Sequence, residues 1–154
     1  DDASWALRVA AWESDFAMLG GSDAGAQLDR MCGAPYTTEF VGDCLRGRKL
    51  WPVERAVAAL SDVPAQLFGL RNRGRIAEGY FADLVLFDPE TVGAGIIHER
   101  CDLPGDSARL FAESNGVRRV FVNGRATIVD GKPTEERSGS VLHSGRDTRT
   151  VLPS

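Results

Sequence analysis

The spacing of apolar residues changes once along this chain, at Arg71. Before Arg71 they recur every three to four positions, the period of an amphipathic helix; after it they alternate, the period of a half-buried strand. A chain of 154 residues has room for one domain, or for one domain and part of another. The change of period therefore predicts the end of an α/β domain joined to a small β-rich unit.

The part before Arg71 is predicted to contain one buried strand and several helices. Residues 16–19 are a short apolar run stopped by glycines, as in a buried parallel strand. The predicted helices cover residues 2–12, 37–48 and 53–60, and a short turn follows at residues 64–70. One strand cannot form a parallel sheet, so we expect this part to be incomplete.

The part after Arg71 is predicted to form short strands at Ile76, at residues 82–87 and in a hairpin. Residues 117–122 and 125–129 form that hairpin, because Asn123-Gly124 tolerates the positive φ angles of a type I′ turn. Residues 93–106 are predicted to be a long connection, and the chain from Thr134 onward a polar arm. Alternate strand positions share a face, which gives the predicted core of this part: Leu84, Leu86, Val120, Val122 and Ile128.

Composition excludes several classes of protein. The net charge of −4 argues against a general binder of nucleic acid or anionic membranes. No apolar run approaches the roughly 20 residues of a membrane span, and no signal peptide is visible. The three cysteines show no C-x-x-C spacing, which is typical of reduced thiols in a cytoplasmic protein. The chain begins with Asp1 rather than Met, which is compatible with a processed or excised piece of something longer and leaves open whether it is a whole gene product.

Asp23 is the main candidate for chemistry. It follows residues 16–19 directly, and Gly21 and Gly25 on either side let the backbone and a ligand approach closely. In an α/β barrel, functional side chains lie at the carboxyl ends of the strands, where a carboxylate can bind a divalent metal or accept a proton. The alternative is structural: Ser22 or Asp23 caps a turn or a helix.

Other residues have simpler interpretations. Cys32 and Cys44 fall in a helical region and are predicted to be buried apolar thiols rather than nucleophiles. Arg71, Arg73 and Arg75 are predicted to be solvated or to pair across the junction between the two parts. The only histidines, His98 and His143, are too few for a histidine-based metal site and are predicted to lie on the surface.

Three stretches of the chain form a recognisable series. They read GGSDAGAQLDRMCGAPYTTEF, then VERAVAALSDVPAQLFGLRNRGRIAEGYFADLVLFDP, then VRRVFVNGRATIVDGKPT. In this order they resemble the C-terminal part of the amidohydrolase superfamily, and more closely the N-acyl-D-amino-acid deacylase (D-aminoacylase) group. The resemblance implies that residues 1–70 form the last strand and helices of a metal-dependent (β/α)8 (TIM) barrel. It implies that residues 71–133 are strands of a small β-sandwich domain, and that residues 134–154 are a polar C-terminal arm. The role implied for Asp83 is structural, at a strand start.

The resemblance also implies the chemistry of the site. Asp23 matches the aspartate that ends the last barrel strand, where it contacts the metal or its water and moves the proton. The cofactor would be zinc or a similar divalent metal. Its other ligands, mainly histidines, would lie upstream of Asp1, so we expect this chain alone to bind no metal tightly. Gln27 stands where the family often has histidine and is a candidate substrate-binding residue at the pocket mouth.

Three functions stay open. The first is hydrolysis of the linear amide of an N-acyl-D-amino acid by metal-activated water, with Asp23 as general base and then acid. The second is hydrolysis of a cyclic amide, as in hydantoinase-like and dihydroorotase-like relatives, and the third is a non-catalytic role in assembly. The expected partners are a small-molecule amide and the N-terminal remainder of the barrel, in the same or another chain. A homo-oligomer is left open, and neither nucleic acid nor a membrane is expected.

Overall fold

The computed structural model describes residues 1–152. Four helices come first: α1 (Asp2–Trp12), α2 (Tyr36–Leu45), α3 (Val53–Leu60) and α4 (Asp62–Leu67). The strands follow: β1 (Leu84–Phe87), β2 (Gly93–Ala94), β3 (His98–Leu103), β4 (Ser107–Phe111), β5 (Ser114–Asn115), β6 (Val117–Val122), β7 (Arg125–Val129) and β8 (Lys132–Pro133). A single 3-10 turn, Pro104–Asp106, joins β3 to β4.

The helices agree closely with their apolar periodicity. The bounds of α1 and α3 are the predicted ones, whereas α2 starts one residue early and ends at Leu45 instead of residue 48. Pro52 precedes α3 with an extended ψ of 150°, which suits the residue before a first turn. Residues 64–70, predicted to be a turn, overlap α4.

The predicted strand at residues 16–19 is wrong for the described structure. The segment is irregular; the Phe16 side chain is fully exposed, and Leu19 packs against the helical core. A parallel strand needs a neighbour to accept and donate its backbone hydrogen bonds, and no strand of residues 1–152 runs beside it. Ile76 likewise lies in no strand and is almost fully exposed.

The predicted hairpin is confirmed. β6 and β7 pair antiparallel around Asn123 and Gly124, whose φ angles are 50° and 78°, as a type I′ turn requires. β1 pairs with β6 and β8 with β7, so the sheet order is β1-β6-β7-β8. β1 therefore lies at an edge of this sheet.

Residues 93–106, predicted to be a connection, instead hold β2 and most of a second hairpin. β3 and β4 pair antiparallel, with Arg100 opposite Arg109. The strands are rich in charge, so they lack an alternating apolar pattern. Ion pairs stabilise them: Arg109 makes two hydrogen bonds of 2.6 and 2.7 Å to Asp102, and Arg100 makes one of 3.0 Å to Glu113.

The main core lies between the helices. Cys44, Trp51 and Ala56 are buried there, and Trp12 and Phe40 pack against them. The aromatic rings meet edge to face, with centroid distances of 5.7 to 5.9 Å among Trp12, Phe40 and Trp51. The buried indole Nε1 of Trp51 has no acceptor among the described residues.

The predicted core of the strand-rich part is only partly correct. Val120, Val122 and Ile128 are half-buried, but Leu84 is 36% exposed and Leu86 is 56% exposed. Within residues 1–152 no further strand pairs with the free edge of β1. The prediction for Leu84 and Leu86 is therefore wrong for this chain.

Arg73 links the helical part to the strands. Its guanidinium forms an ion pair with Asp83 at the start of β1, donates to Asn123 Oδ1 at 3.1 Å and stacks 4.1 Å from the centroid of Phe81. Asp83 also accepts from the Asn123 backbone N–H at 2.8 Å. These contacts agree with the structural role expected for Asp83 and with pairing of Arg73 across the junction.

Glycine at position 42 lets α2 pack closely against the strand-rich part. A Cβ there would lie 2.7 Å from the carbonyl oxygen of Val92. Arg46, which directly follows this helix, donates to the carbonyls of Pro89 and Val92.

No helix within residues 1–152 is both long enough and apolar enough to cross a membrane.

Candidate functional site

The loop that carries Asp23 is shaped by its neighbours rather than by its own carboxylate. Ser22 Oγ accepts from the Ala24 N–H at 3.3 Å, and the Asp23 carbonyl accepts from the Ala26 N–H at 3.2 Å. Gly21 and Gly25 take positive φ angles of 76° and 93°, which L side chains rarely adopt. The turn-capping role considered for Ser22 or Asp23 is thus performed by the Ser22 side chain.

Gly33 packs closely against the backbone of Asp23. A Cβ at position 33 would lie 3.1 Å from Ser22 Cβ and 3.2 Å from the Asp23 nitrogen. A side chain at position 33 would therefore crowd the backbone of the Asp23 loop. The glycine-rich sequence around Asp23 and the small residue ten positions later together determine where the carboxylate lies.

The carboxylate of Asp23 is exposed, and the structure records no hydrogen bond or ion pair to it within residues 1–152. The same residues contain no group of three or more His, Cys, Asp or Glu side chains that could hold a metal ion. The chemistry of Asp23 suits a metal as a single ligand, but residues 1–152 do not bring further ligands together with it. A free, solvent-accessible carboxylate can still accept and return a proton.

Gln27 lies four residues beyond Asp23 on the same loop. Its backbone is in the left-handed region, with a φ of 47°, and its carbonyl accepts from the N–H groups of Arg30 at 2.9 Å and Met31 at 3.0 Å. Its side chain is exposed. Gln27 and Asp23 thus share one surface loop, and within residues 1–152 no hydrogen bond joins their side chains.

The β3–β4 hairpin reaches the same loop. The backbone N–H of Leu110 on β4 donates to the carbonyl of Leu28 at 2.7 Å. Sequence reasoning missed this anchor, because the charged strands of the hairpin carry no alternating apolar pattern. The dense spacing of Arg, Asp and Glu from Glu99 to Glu113 was the only available signal.

The remaining candidates have structural surroundings. Cys44 is buried and burial raises the pKa of its thiol, which disfavours the nucleophilic thiolate. Asp29 on the same loop as Asp23 pairs with Arg30 at 3.4 Å, and both side chains are exposed to solvent. His98 and His143 are exposed, as predicted.

Comparison with known proteins agrees with the resemblance seen in the sequence. A profile of the amidohydrolase family matches residues 7–134, which include Asp23, Gln27 and the strands through β8. Over 105 residues the chain is 38% identical to an N-acyl-D-glutamate deacylase of Alcaligenes xylosoxydans xylosoxydans, a match that covers 68% of this chain and 20% of that protein.

Two further matches are more limited. Over 81 residues the chain is 36% identical to a dihydroorotase of Methanothermobacter thermautotrophicus, covering 49% of this chain and 18% of that protein. A solved structure of D-aminoacylase, studied for its binuclear metal centre, is 33% identical with a TM-score of 0.47, covering 64% of this chain and 20% of that one.

The chain thus spans about a fifth of the length of the relatives it matches. The family match nevertheless extends over most of its residues and over both the Asp23 loop and the strand-rich part. On this evidence the chain belongs to the amidohydrolase family.

Proposed function

We propose that this chain is the C-terminal part of an enzyme that hydrolyses the linear amide of an N-acyl-D-amino acid, with Asp23 as its general base and acid. The observation that carries the proposal is the family match from residue 7 to residue 134. The matched residues include Asp23, which is exposed, lies in a glycine-rich loop and has no side-chain hydrogen bond or ion pair within residues 1–152. The 38% identity to an N-acyl-D-glutamate deacylase supports this substrate class.

Asp23 would act twice in one turnover. It would take a proton from the attacking water as the water oxygen bonds to the amide carbonyl carbon, and it would then deliver that proton to the leaving amine as the C–N bond breaks. One carboxylate can do both because the structure leaves its oxygens free of internal partners within residues 1–152. Positioned acid–base groups contribute about 10²–10⁴-fold to rate.

The proposal needs partners that these residues do not supply. The complete enzyme would hold zinc or a similar divalent metal, with Asp23 as one ligand, and the other ligands would lie outside the 154 residues. Residues 1–70 would complete a (β/α)8 barrel and residues 71–133 a small β-sandwich, both with upstream chain, while residues 134–154 would form the arm. Adjacent upstream strands would also give residues 16–19 the neighbours they need for strand hydrogen bonds.

The decisive experiment compares two substitutions in the complete enzyme that contains this chain. We expect Asp23→Asn to keep the fold and the melting temperature and to lower kcat about 10²–10⁴-fold, with a smaller change in KM, because the lost interaction belongs mainly to the transition state. The matched control is Asp29→Asn, which neutralises another exposed carboxylate of the same loop. A stable Asp23→Asn enzyme with near-normal kcat would refute the assignment.

A cyclic-amide substrate is the second candidate, and the dihydroorotase match is the observation that favours it. A panel of N-acyl-D-amino acids, including N-acetyl-D-glutamate, assayed beside dihydroorotate and hydantoins separates the two classes. Turnover of the linear amides alone supports the first proposal, and turnover of the cyclic amides alone supports the second. If neither class is hydrolysed by the metal-loaded enzyme, the non-catalytic role in assembly is favoured.

Gln27 is proposed as a substrate-contacting residue at the mouth of the pocket. Its amide can donate and accept hydrogen bonds but does not take up a proton near neutral pH. Gln27→His would introduce a group that does, so we expect the activity of this variant to gain a pH dependence in the range where imidazole titrates. If Gln27→His and the unmodified enzyme had the same activity at every pH, the proposed contact between Gln27 and the substrate would be contradicted.

A further inference from the structure

A polar cleft of about 340 Å³ lies between α4, the turn that follows it and the C-terminal arm. Four arginines line it: Arg71, Arg73, Arg75 and Arg149. The only carboxylate among the lining residues is that of Asp62. The cleft is therefore strongly positive, although the protein as a whole carries a net charge of −4.

Two of the four arginines already have carboxylate partners. Arg75 binds Asp62 through both Nε and Nη2, the latter at 2.9 Å, and this hydrogen bonding lowers the pKa of the Asp62 carboxyl. Arg73 is paired with Asp83 and is 12% exposed. These two guanidinium groups form a fixed wall of the cleft rather than free ligand-binding groups.

The other two arginines have no carboxylate partner within residues 1–152. Arg71 uses only its Nε, which donates to the Thr148 carbonyl at 3.1 Å, so both of its terminal nitrogens remain available. The Arg149 side chain has no recorded acceptor among the described residues. Tyr80 lines the same cleft and adds a phenolic hydroxyl.

Backbone contacts determine where Arg71 and Arg149 lie. Leu70 and Thr148 form an antiparallel bridge, the Arg71 N–H donates to the Asp147 carbonyl at 2.9 Å, and the Arg149 N–H donates to the Gly69 carbonyl at 2.8 Å. Gly69 has a φ of 62°, and a Cβ there would collide with the carbonyl oxygen of Arg149. The arm can therefore reach the cleft only because residue 69 is glycine.

We propose that this cleft binds a phosphate group, either as inorganic phosphate or as a phosphate monoester. Two uncompensated guanidinium charges match the charge of about −1.5 to −2 that a phosphoryl group carries near pH 7. The planar fork of each guanidinium binds two phosphate oxygens at once, and the Tyr80 hydroxyl can donate to a third. Because Asp83 and Asp62 neutralise Arg73 and Arg75, the charge left in the cleft is that of Arg71 and Arg149. One phosphate dianion balances this charge.

The test is a calorimetric titration of the protein with inorganic phosphate and, separately, with glycerol 3-phosphate. We expect saturable binding of at least one of them, weakened by added sodium chloride as charge screening requires. Arg71→Gln and Arg149→Gln should each weaken it about tenfold or more, since each removes charge-assisted hydrogen bonds. Tighter binding of the monoester would identify the ester as the ligand, and equal binding would identify the phosphate group alone.

Two further variants keep the proposal falsifiable. Arg118→Gln removes an exposed arginine of β6 that lies outside the cleft and should leave binding unchanged. Gly69→Ala retains both arginines but displaces the arm, so it should weaken binding while circular dichroism shows that the helices persist. No saturable binding, or equal weakening by Arg118→Gln and Arg149→Gln, would overturn the proposal.

Discussion

The helical part and the strand-rich part of this chain differ in how much they bury. Of the six buried apolar residues in the described structure, five lie before Arg71 and only Val92 lies after it. The helices surround a packed aromatic cluster, whereas the edge strand β1 leaves Leu84 and Leu86 exposed. Helices satisfy their own backbone and need only a shared apolar face, but a sheet also needs neighbouring strands at its edges and a cover on its face.

The largest effect is expected at Trp51, in the centre of the helical core. Trp51→Ala removes a side chain that is only 7% exposed and should lower the free energy of unfolding by about 3–5 kcal/mol. Trp51→Phe should cost less, because it also removes the buried N–H that has no acceptor within residues 1–152. Denaturant unfolding of both variants measures this. A loss below about 1 kcal/mol for the alanine variant would contradict the view that the helical part holds the main core of this chain.

Arg73 is expected to come next, because it joins the two parts. Arg73→Ala removes the ion pair with Asp83 and the hydrogen bond to Asn123, and it leaves a partly covered carboxylate without its partner. The expected loss is about 1–3 kcal/mol. Arg30→Ala is the control: Arg30 pairs with Asp29 on the open surface and should cost less than about 0.5 kcal/mol. Equal losses in the two variants would show that the junction contributes nothing specific.

A smaller effect is expected at Leu86, which tests whether the strand-rich part is better buried in a longer protein. Leu86 is 56% exposed, so Leu86→Ala in this chain should cost below about 1 kcal/mol. If upstream chain covers β1 in the complete protein, the same substitution there should cost the 2–5 kcal/mol typical of a core leucine. Unfolding measured on both lengths of protein tests this. A core-sized loss in the short chain would mean that β1 is already covered.

The smallest effect concerns the arm and its dependence on pH. Hydrogen bonds from Arg146, and then from the His143 backbone, lower the pKa of Asp147 from 3.8 to about 2. A lowered carboxyl pKa stabilises the fold above 3.8, and this contribution is lost as the pH falls through about 2. Asp147→Asn should therefore flatten the fall of the melting temperature over that window. Parallel melting curves for Asp147→Asn and the unmodified chain would contradict this.

The Asp23 loop shows what reasoning from the sequence could reach. The glycines around Asp23 indicated a close-approach loop, and the structure gives Gly21 and Gly25 the positive φ angles that only glycine adopts easily. The anchor from Leu110 to Leu28 could not be anticipated, since it depends on a hairpin whose charged strands lack an alternating apolar pattern. The cleft formed by Arg71 and Arg149 was also out of reach, because these residues lie 78 positions apart and meet only through the arm.

By itself the sequence determined the elements whose signals are local. The 3.6-residue period places α1 and α3 at their observed bounds, and the Asn123-Gly124 pair determines the β6–β7 turn through its tolerance of positive φ. Only the tertiary structure decided which apolar residues are buried and which strands form. Burial depends on what lies opposite a residue, and a strand exists only where another chain segment completes its hydrogen bonds. Residues 16–19 therefore form no strand, and Phe16 and Leu86 are apolar residues that stay exposed.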